Sequence, residues 1–264
     1  MAKLGEINYL KAIGEEGAVH ALNKPFADAG CGRYLADLGL VMGLLPPPPA
    51  RILDLGAGPG WTTVFLARRG YDALGQDICP DMIELAEWNR DRYAADSASF
   101  VVQDYESMGF REEFDAALFY DALHHAEDEH AALAAVYAAL KPGGVCVTVE
   151  PGEGHAAASA HVVELFGVTE KDMPPHHVIA VGRSVGFRDF RVYARSAEPA
   201  LIGGFGRDEP LDPARPARWR VAAGFARKAL RALVKGVREG DGEFLFHTVP
   251  GIGLRAGNIV WMQK

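Results

Sequence analysis

Arg51-Ile-Leu-Asp-Leu-Gly-Ala-Gly-Pro-Gly-Trp61 sets a short apolar run directly against three glycines in five residues. The run Arg51–Leu55 reads as a buried strand that turns sharply, and Trp61–Arg69 has helical spacing that stops at Gly70. Glycines at such a junction let the backbone turn tightly and approach a ligand with no Cβ in the way. The helix that follows offers free N–H groups and the positive end of its dipole. The junction is therefore a candidate binding loop.

Outward from this loop, strands and helices alternate. Ala73–Asp77 is predicted as the second strand, and Pro80 opens a helix to about Ala94. Ser99–Val102 and Phe114–Tyr120 follow as strands three and four, then a helix from about Asp128 to Leu140 that stops at Lys141-Pro142-Gly143-Gly144. Val145–Val149 is the fifth strand. Such alternation implies parallel pairing through right-handed crossovers, hence an α/β fold with a doubly wound sheet. Phe187–Ala194 and Asn258–Gln263 read as late strands.

Two strand tips beyond the glycine loop carry carboxylates. Asp77 ends the second strand, where a carboxylate can accept two hydrogen bonds from a ribose diol. The third strand runs into Gln103-Asp104-Tyr105, an acid beside a flat aromatic, suited to an adenine amino group and ring face. A plain glycine turn would not need these acids, and all three features fall at the carboxyl edge, where open α/β sheets bind ligands.

ILDLGAGPGWTTVFLARRG, GQDICPDMIELA, VVQDYES, FYDALHH and LKPGGVCVTVEP, in that order, resemble the motifs of class I S-adenosylmethionine-dependent methyltransferases of the small-molecule type over about residues 50–151. The resemblance implies a Rossmann-like seven-stranded sheet, mostly parallel with the last strand antiparallel. It implies S-adenosylmethionine as cofactor, with Gly56, Gly58 and Gly60 around its methionine part, Asp77 on the ribose, and Asp104 with Tyr105 on adenine. Asp54 would orient the loop and the amino end of the cofactor. Ala57, Ile78, Met82 and Tyr120 complete the implied cofactor set. A nicotinamide-dependent oxidoreductase is the rival on such a fold. Its fingerprint wants a third glycine at the position of Trp61, where an indole would crowd the helix–strand contact. A protein that binds the cofactor without turnover is a third reading.

Residues 1–49 are expected to form an N-terminal helical cap, with a helix at about Arg33–Leu45 and the proline run Pro46–Pro49 as a stiff spacer. Residues 50–264 then form the methyltransferase domain. Insertions are expected after strands five and six: a lid or substrate segment at 152–186, and a stretch at 197–245. Within the latter, residues 215–238 hold eight Lys or Arg and no acid, at helical spacing. They form a solvated helix face, or they attract a phosphorylated acceptor or an anionic membrane. Tyr9 and Lys24 of the cap are candidates to close the cofactor pocket.

The 264 residues carry a formal net charge of −8, which argues against general nucleic-acid binding. Cys31, Cys79 and Cys146 are scattered without a CxxC pair, as in reduced cytoplasmic proteins. The first residues contain acids where a secretion signal needs an apolar core. A cytoplasmic enzyme with a small-molecule acceptor is the expectation, the acceptor being a sugar or a phosphorylated or lipid-linked molecule. Candidate acid–base groups are His125 and Glu150 at the tips of strands four and five, and His176 or His177 in the lid segment. Each has a plain alternative as a turn cap, a packing residue or a partner of loop amides. No metal is expected, because the histidines show neither i,i+4 nor His-acid-His spacing.

Overall fold

A computed structural model describes residues 2–195 and 257–264. The basic segment 215–238 and the stretch 197–245 lie outside the described residues. Two helices come first, α1 (Ala2–Leu22), interrupted at Gly14, and α2 (Cys31–Leu44). The alternating core is β1 (Arg51–Leu55), α3 (Trp61–Arg69), β2 (Asp72–Asp77), α4 (Pro80–Arg92), β3 (Ala98–Val102), β4 (Phe114–Tyr120), α5 (Glu129–Ala139) and β5 (Leu140–Glu150). Short helices α6 (His155–Ala158) and α7 (Ala160–Phe166) lead to α8 (Pro175–Val185), β6 (Arg188–Ala194) and β7 (Asn258–Gln263).

The seven strands form one sheet in the order β3-β2-β1-β4-β5-β7-β6. β1 to β5 pair in parallel, and β7 runs antiparallel to both neighbours, β5 and β6. Order reverses at β1, with β2 on one side and β4 on the other, which opens a crevice above the strand ends.

Alternate residues of each strand feed two cores, as a period-two pleat requires. Ile52, Leu118, Val147 and Trp261 pack with Val41 of α2 and Val64 of α3. Leu53, Phe119, Cys146 and Met262 face the other way, onto Leu133 and Val136 of α5 and Val178 of α8. Both faces are covered, so β1, β4 and the second half of β5 are buried almost continuously rather than on alternate residues. Full burial of each aliphatic side chain contributes roughly 1.5–3 kcal/mol.

The largest departure from the expected boundaries is at β5. The helix ends at Ala139, and Lys141–Gly144 is a bulge inside β5, not a turn before it. Leu140 pairs with Phe114, and the register then shifts so that Val145 pairs with Ala116. Gly143, at φ 79°, absorbs the extra residues. At the start of α5, Asp128 caps the helix by accepting from the N–H groups of His130 and Ala131.

Candidate active site

A cavity of about 300 Å³ opens at the carboxyl ends of β1, β2, β3 and β4. Its floor is the glycine loop. Gly56 has φ 65°, and a Cβ there would meet the Ala122 methyl at 2.7 Å. Gly58 has φ 52° and open space in front of it. Gly60, at φ 76°, sits behind the loop, where a Cβ would strike Ala86 and the Phe100 ring. Of the three, Gly56 and Gly58 line the cavity and Gly60 serves the packing of α4 on β3.

Asp54 is 1% exposed and does not reach the cavity. Its Oδ2 accepts hydrogen bonds from the hydroxyls of Thr62 and Thr63, both at 2.6 Å. Burial pushes its carboxyl up to about 6, against the pull of those two hydroxyls. The expectation that it orients the glycine loop fits this placement. The expectation that it meets the amino end of a cofactor does not, because Asp54 is buried and is not among the residues that line the cavity.

Asp77 lines the cavity, and its two oxygens accept from the backbone N–H groups of Gly58 and Cys79, each at 2.8 Å. Burial raises its carboxyl, while those two amides oppose the rise. Ala57, Ile78, Met82, Tyr105 and Tyr120 line the same cavity. Asp104 does too, with Lys3 of α1 donating to its Oδ2 at 2.5 Å and reaching Glu106 at 3.1 Å. The Tyr105 hydroxyl donates to the Ala122 carbonyl at 3.2 Å. Trp61, 7% exposed, stands edge-on to Tyr120 at 5.2 Å and fills the space where a dinucleotide fingerprint would need its last glycine.

α1 forms the roof. Its Tyr9 packs edge-on to Phe166 of α7 at 5.6 Å, and Glu6 accepts from the Thr169 amide at 2.9 Å. Tyr9 and Lys24 both line the cavity, so the cap does meet the site.

Beside β4 lies a buried ion cluster that sequence reasoning missed. Arg195, 8% exposed, donates through both terminal nitrogens to Asp121 at 2.6 and 2.8 Å, and through Nε to Asp37 at 2.6 Å. Tyr120 donates its hydroxyl to Asp37 at 3.0 Å. Asp121 takes φ 47°, a left-handed conformation that aspartate tolerates better than most residues, and presents its carboxylate to the cavity.

The catalytic candidates separate. His125 lines the cavity, but its Nδ1 donates to the Thr169 carbonyl at 2.7 Å. Burial lowers its proton affinity, yet Glu6 and Glu170 outweigh that and lift it to about 9, so at neutral pH it already holds the proton a base must take. Glu150 is fully buried and is not among the residues that line the cavity. It accepts from the amides of Ala122, Leu123 and His124 and from His124 Nδ1 at 2.7 Å, so its role is to hold the turn after β4. His176 and His177 are not among the lining residues. His177 Nε2 pairs instead with Glu129 of α5 at 2.9 Å, because α8 packs against α5. His124, His125 and Glu170 converge, a grouping invisible in the sequence because Glu170 arrives from the stretch between α7 and α8.

Residues 53–148 match a methyltransferase domain family. The chain is similar to the ubiquinone biosynthesis O-methyltransferase of Xanthomonas axonopodis pv. citri, 29% identical over 135 residues, or 50% of this chain and 52% of that protein. It is 30% identical over 113 residues to the tRNA 5-carboxymethoxyuridine methyltransferase of Escherichia coli, covering 41% of this chain and 43% of that one. The chain thus spans about half the length of the curated relatives it matches. Its fold is similar to that of Haemonchus contortus phosphoethanolamine N-methyltransferase 2 in complex with S-adenosyl-L-methionine, with a TM-score of 0.55, 19% identity, and coverage of 87% and 52% of the two chains. Sheet order, glycine loop and matched domain agree: residues 53–148 carry a methyltransferase domain, on a fold shared with solved S-adenosylmethionine-dependent methyltransferases.

Proposed function

We propose that this chain transfers the methyl group of S-adenosylmethionine to an oxygen or nitrogen atom of a small molecule. The observation that carries this is the convergence of Gly58, Asp77 and Asp104, from three neighbouring strand ends, on one cavity. The residues fit the cofactor. Open space in front of Gly58 leaves room for a ligand chain against the backbone. Each Asp77 oxygen accepts one amide inside the protein and keeps a lone pair for a ribose hydroxyl. Asp104 offers an acceptor for an exocyclic amine, shared with Lys3. When bound, the cofactor supplies a methyl group already activated by its sulfonium, so the chain's task is alignment and exclusion of water.

The roof formed by α1 excludes water over the adenine end. Asp121, gripped by the Arg195 fork, presents a fixed hydrogen-bond acceptor that orients the incoming nucleophile. No base is assigned to His125. The acceptor therefore arrives nucleophilic, as a neutral amine or an acidic hydroxyl.

A small molecule is favoured over nucleic acid by the net charge of −8 and by the acids on the cavity wall, Glu6, Asp28, Asp121 and Glu170 among them. The tRNA-methylating relative makes tRNA the competing acceptor. Calorimetry with S-adenosylhomocysteine tests the cofactor reading, with saturable binding in wild type and a loss of at least tenfold in Asp77→Ala. No binding in wild type would overturn it. Release of S-adenosylhomocysteine from panels of phenols, carboxylates and amines, beside bulk tRNA, tests the acceptor. Turnover with tRNA alone would sink the small-molecule assignment.

A further inference from the structure

We propose that His124, His125 and Glu170 bind a divalent transition-metal ion whose open coordination position faces the cavity. One ring nitrogen from each histidine and one carboxylate oxygen of Glu170 lie within 4.8 Å of one another. The imidazoles are 4.1 Å apart between centroids, tilted by 40°. His124 Nε2 stands 3.6 Å from Glu170 Oε2. Two ligands on one tetrahedral ion stand roughly 3.3 Å apart, so side-chain adjustments of about 1 Å close the site.

The stronger observation is what holds each imidazole from behind. His124 Nδ1 lies 2.7 Å from Glu150 Oε2, and that carboxylate already takes three backbone amides, so it acts as an acceptor and the ring nitrogen carries the proton. His125 Nδ1 lies 2.7 Å from the Thr169 carbonyl, which can only accept. Once an arriving ion displaces the second proton of His125, this leaves Nε2 of both rings as the lone-pair nitrogen. A carboxylate and a carbonyl behind two histidines are the orienting partners that metal-binding histidines use almost without exception. A histidine pair that merely packs against a helix has no need of both.

Charge points the same way. Glu6, Glu150 and Glu170, with side chains 19%, 0% and 9% exposed, surround His124, His125 and His155. His155 Nε2 lies 2.6 Å from Glu170 Oε2 and can turn in as a fourth ligand. A divalent cation balances such a group, and binding it displaces imidazole protons. Two nitrogens and one carboxylate suit Zn²⁺, Co²⁺ or Ni²⁺, whereas Mg²⁺ and Ca²⁺ want oxygen ligands. Because His125 and Glu170 line the cavity, the remaining position would take an anionic oxygen donor, such as a phenolate or carboxylate of the acceptor.

The site is tested without methyl donor, so its failure leaves the methyl-transfer reading untouched. Chelator-stripped full-length protein is titrated with Zn²⁺ against a chromophoric chelator, in wild type, Glu170→Gln and His125→Asn. One equivalent should bind to wild type, millimolar Mg²⁺ should not compete, and each variant should weaken Zn²⁺ about 10–100-fold. Co²⁺ should give visible d–d bands without a thiolate charge-transfer band. No stoichiometric Zn²⁺ in wild type, unchanged affinity in both variants, or a thiolate band pointing to the cysteines would each overturn the proposal. S-adenosylhomocysteine binding checks that the variants are folded; if one is not, the other and the wild-type titration still decide.

Discussion

Gly58→Ala and Gly60→Ala add the same methyl group two residues apart, and the structure separates their consequences. Both backbones are left-handed, at φ 52° and 76°, where an alanine costs about 1–2 kcal/mol. At Gly58 nothing lies within 4 Å of the new carbon, so that strain is the whole cost to folding. At Gly60 the carbon would lie 2.7 Å from the Ala86 methyl and 2.8 Å from two ring atoms of Phe100. Overpacking of this kind adds about 1–3 kcal/mol. Gly58→Ala should therefore lower stability by about 1–2 kcal/mol and Gly60→Ala by about 2–5 kcal/mol. Ligand affinity should rank the other way. The Gly58 methyl projects into space the cofactor needs, so calorimetry should show S-adenosylhomocysteine weakened at least tenfold, or about 1.4 kcal/mol. Urea denaturation supplies the stabilities. If Gly58→Ala binds like wild type, or unfolds as readily as Gly60→Ala, the assignment of one glycine to ligand and the other to packing is wrong.

Burial and exposure of the charged groups set three further outcomes. Asp54 has a folded value near 6 against about 3.9 unfolded, so its ionised form costs stability above pH 6 and the cost is relieved as pH falls towards 4, by about 3 kcal/mol at most. Urea denaturation should show wild type gaining on Asp54→Asn between pH 7 and pH 4.5; a difference flat in pH would contradict the buried charge. Arg195→Met strands Asp37, which is 3% exposed, and should cost about 3–5 kcal/mol, with part recovered by adding Asp37→Asn; no recovery in the double variant would mean the cluster is not coupled. His177→Ala removes only a half-exposed pair with Glu129 and should leave turnover intact and stability within about 1 kcal/mol. A large fall in turnover would restore it to the site.

The sheet was legible because its strands are buried on both faces and punctuated by Gly, Pro and Asp. Arg51–Leu55, Phe114–Tyr120 and Asn258–Gln263 could be read almost to the residue. The β5 bulge was not, since Lys-Pro-Gly-Gly has the chemistry of a turn and only the pairing of Leu140 with Phe114 shows otherwise. In the site, Asp77 and Asp104 were legible as acids at strand tips. Lys3, Glu6, Asp37, Glu170 and Arg195 were not, because Asp104, His125, Tyr120, His124 and Asp121, the site residues they respectively act on, lie far off in the chain. Long-range ion pairs leave no local pattern. His176 and His177 misled for a related reason: two adjacent histidines after prolines suggest a loop, but they begin a helix whose face is turned to α5.

The place of β7 has a consequence for assembly. It threads between β5 and β6, so β6 has no hydrogen-bonded neighbour until a segment far downstream arrives to bridge it. A nascent chain that has emerged only as far as Ala194 therefore displays the bare rim of β5 and a tethered β6, two adhesive surfaces exposed together. Closing them demands contacts of long sequence separation, which are slow to form. Folding of the half-sheet β3-β2-β1-β4-β5 can run ahead, while its completion waits on Asn258–Gln263.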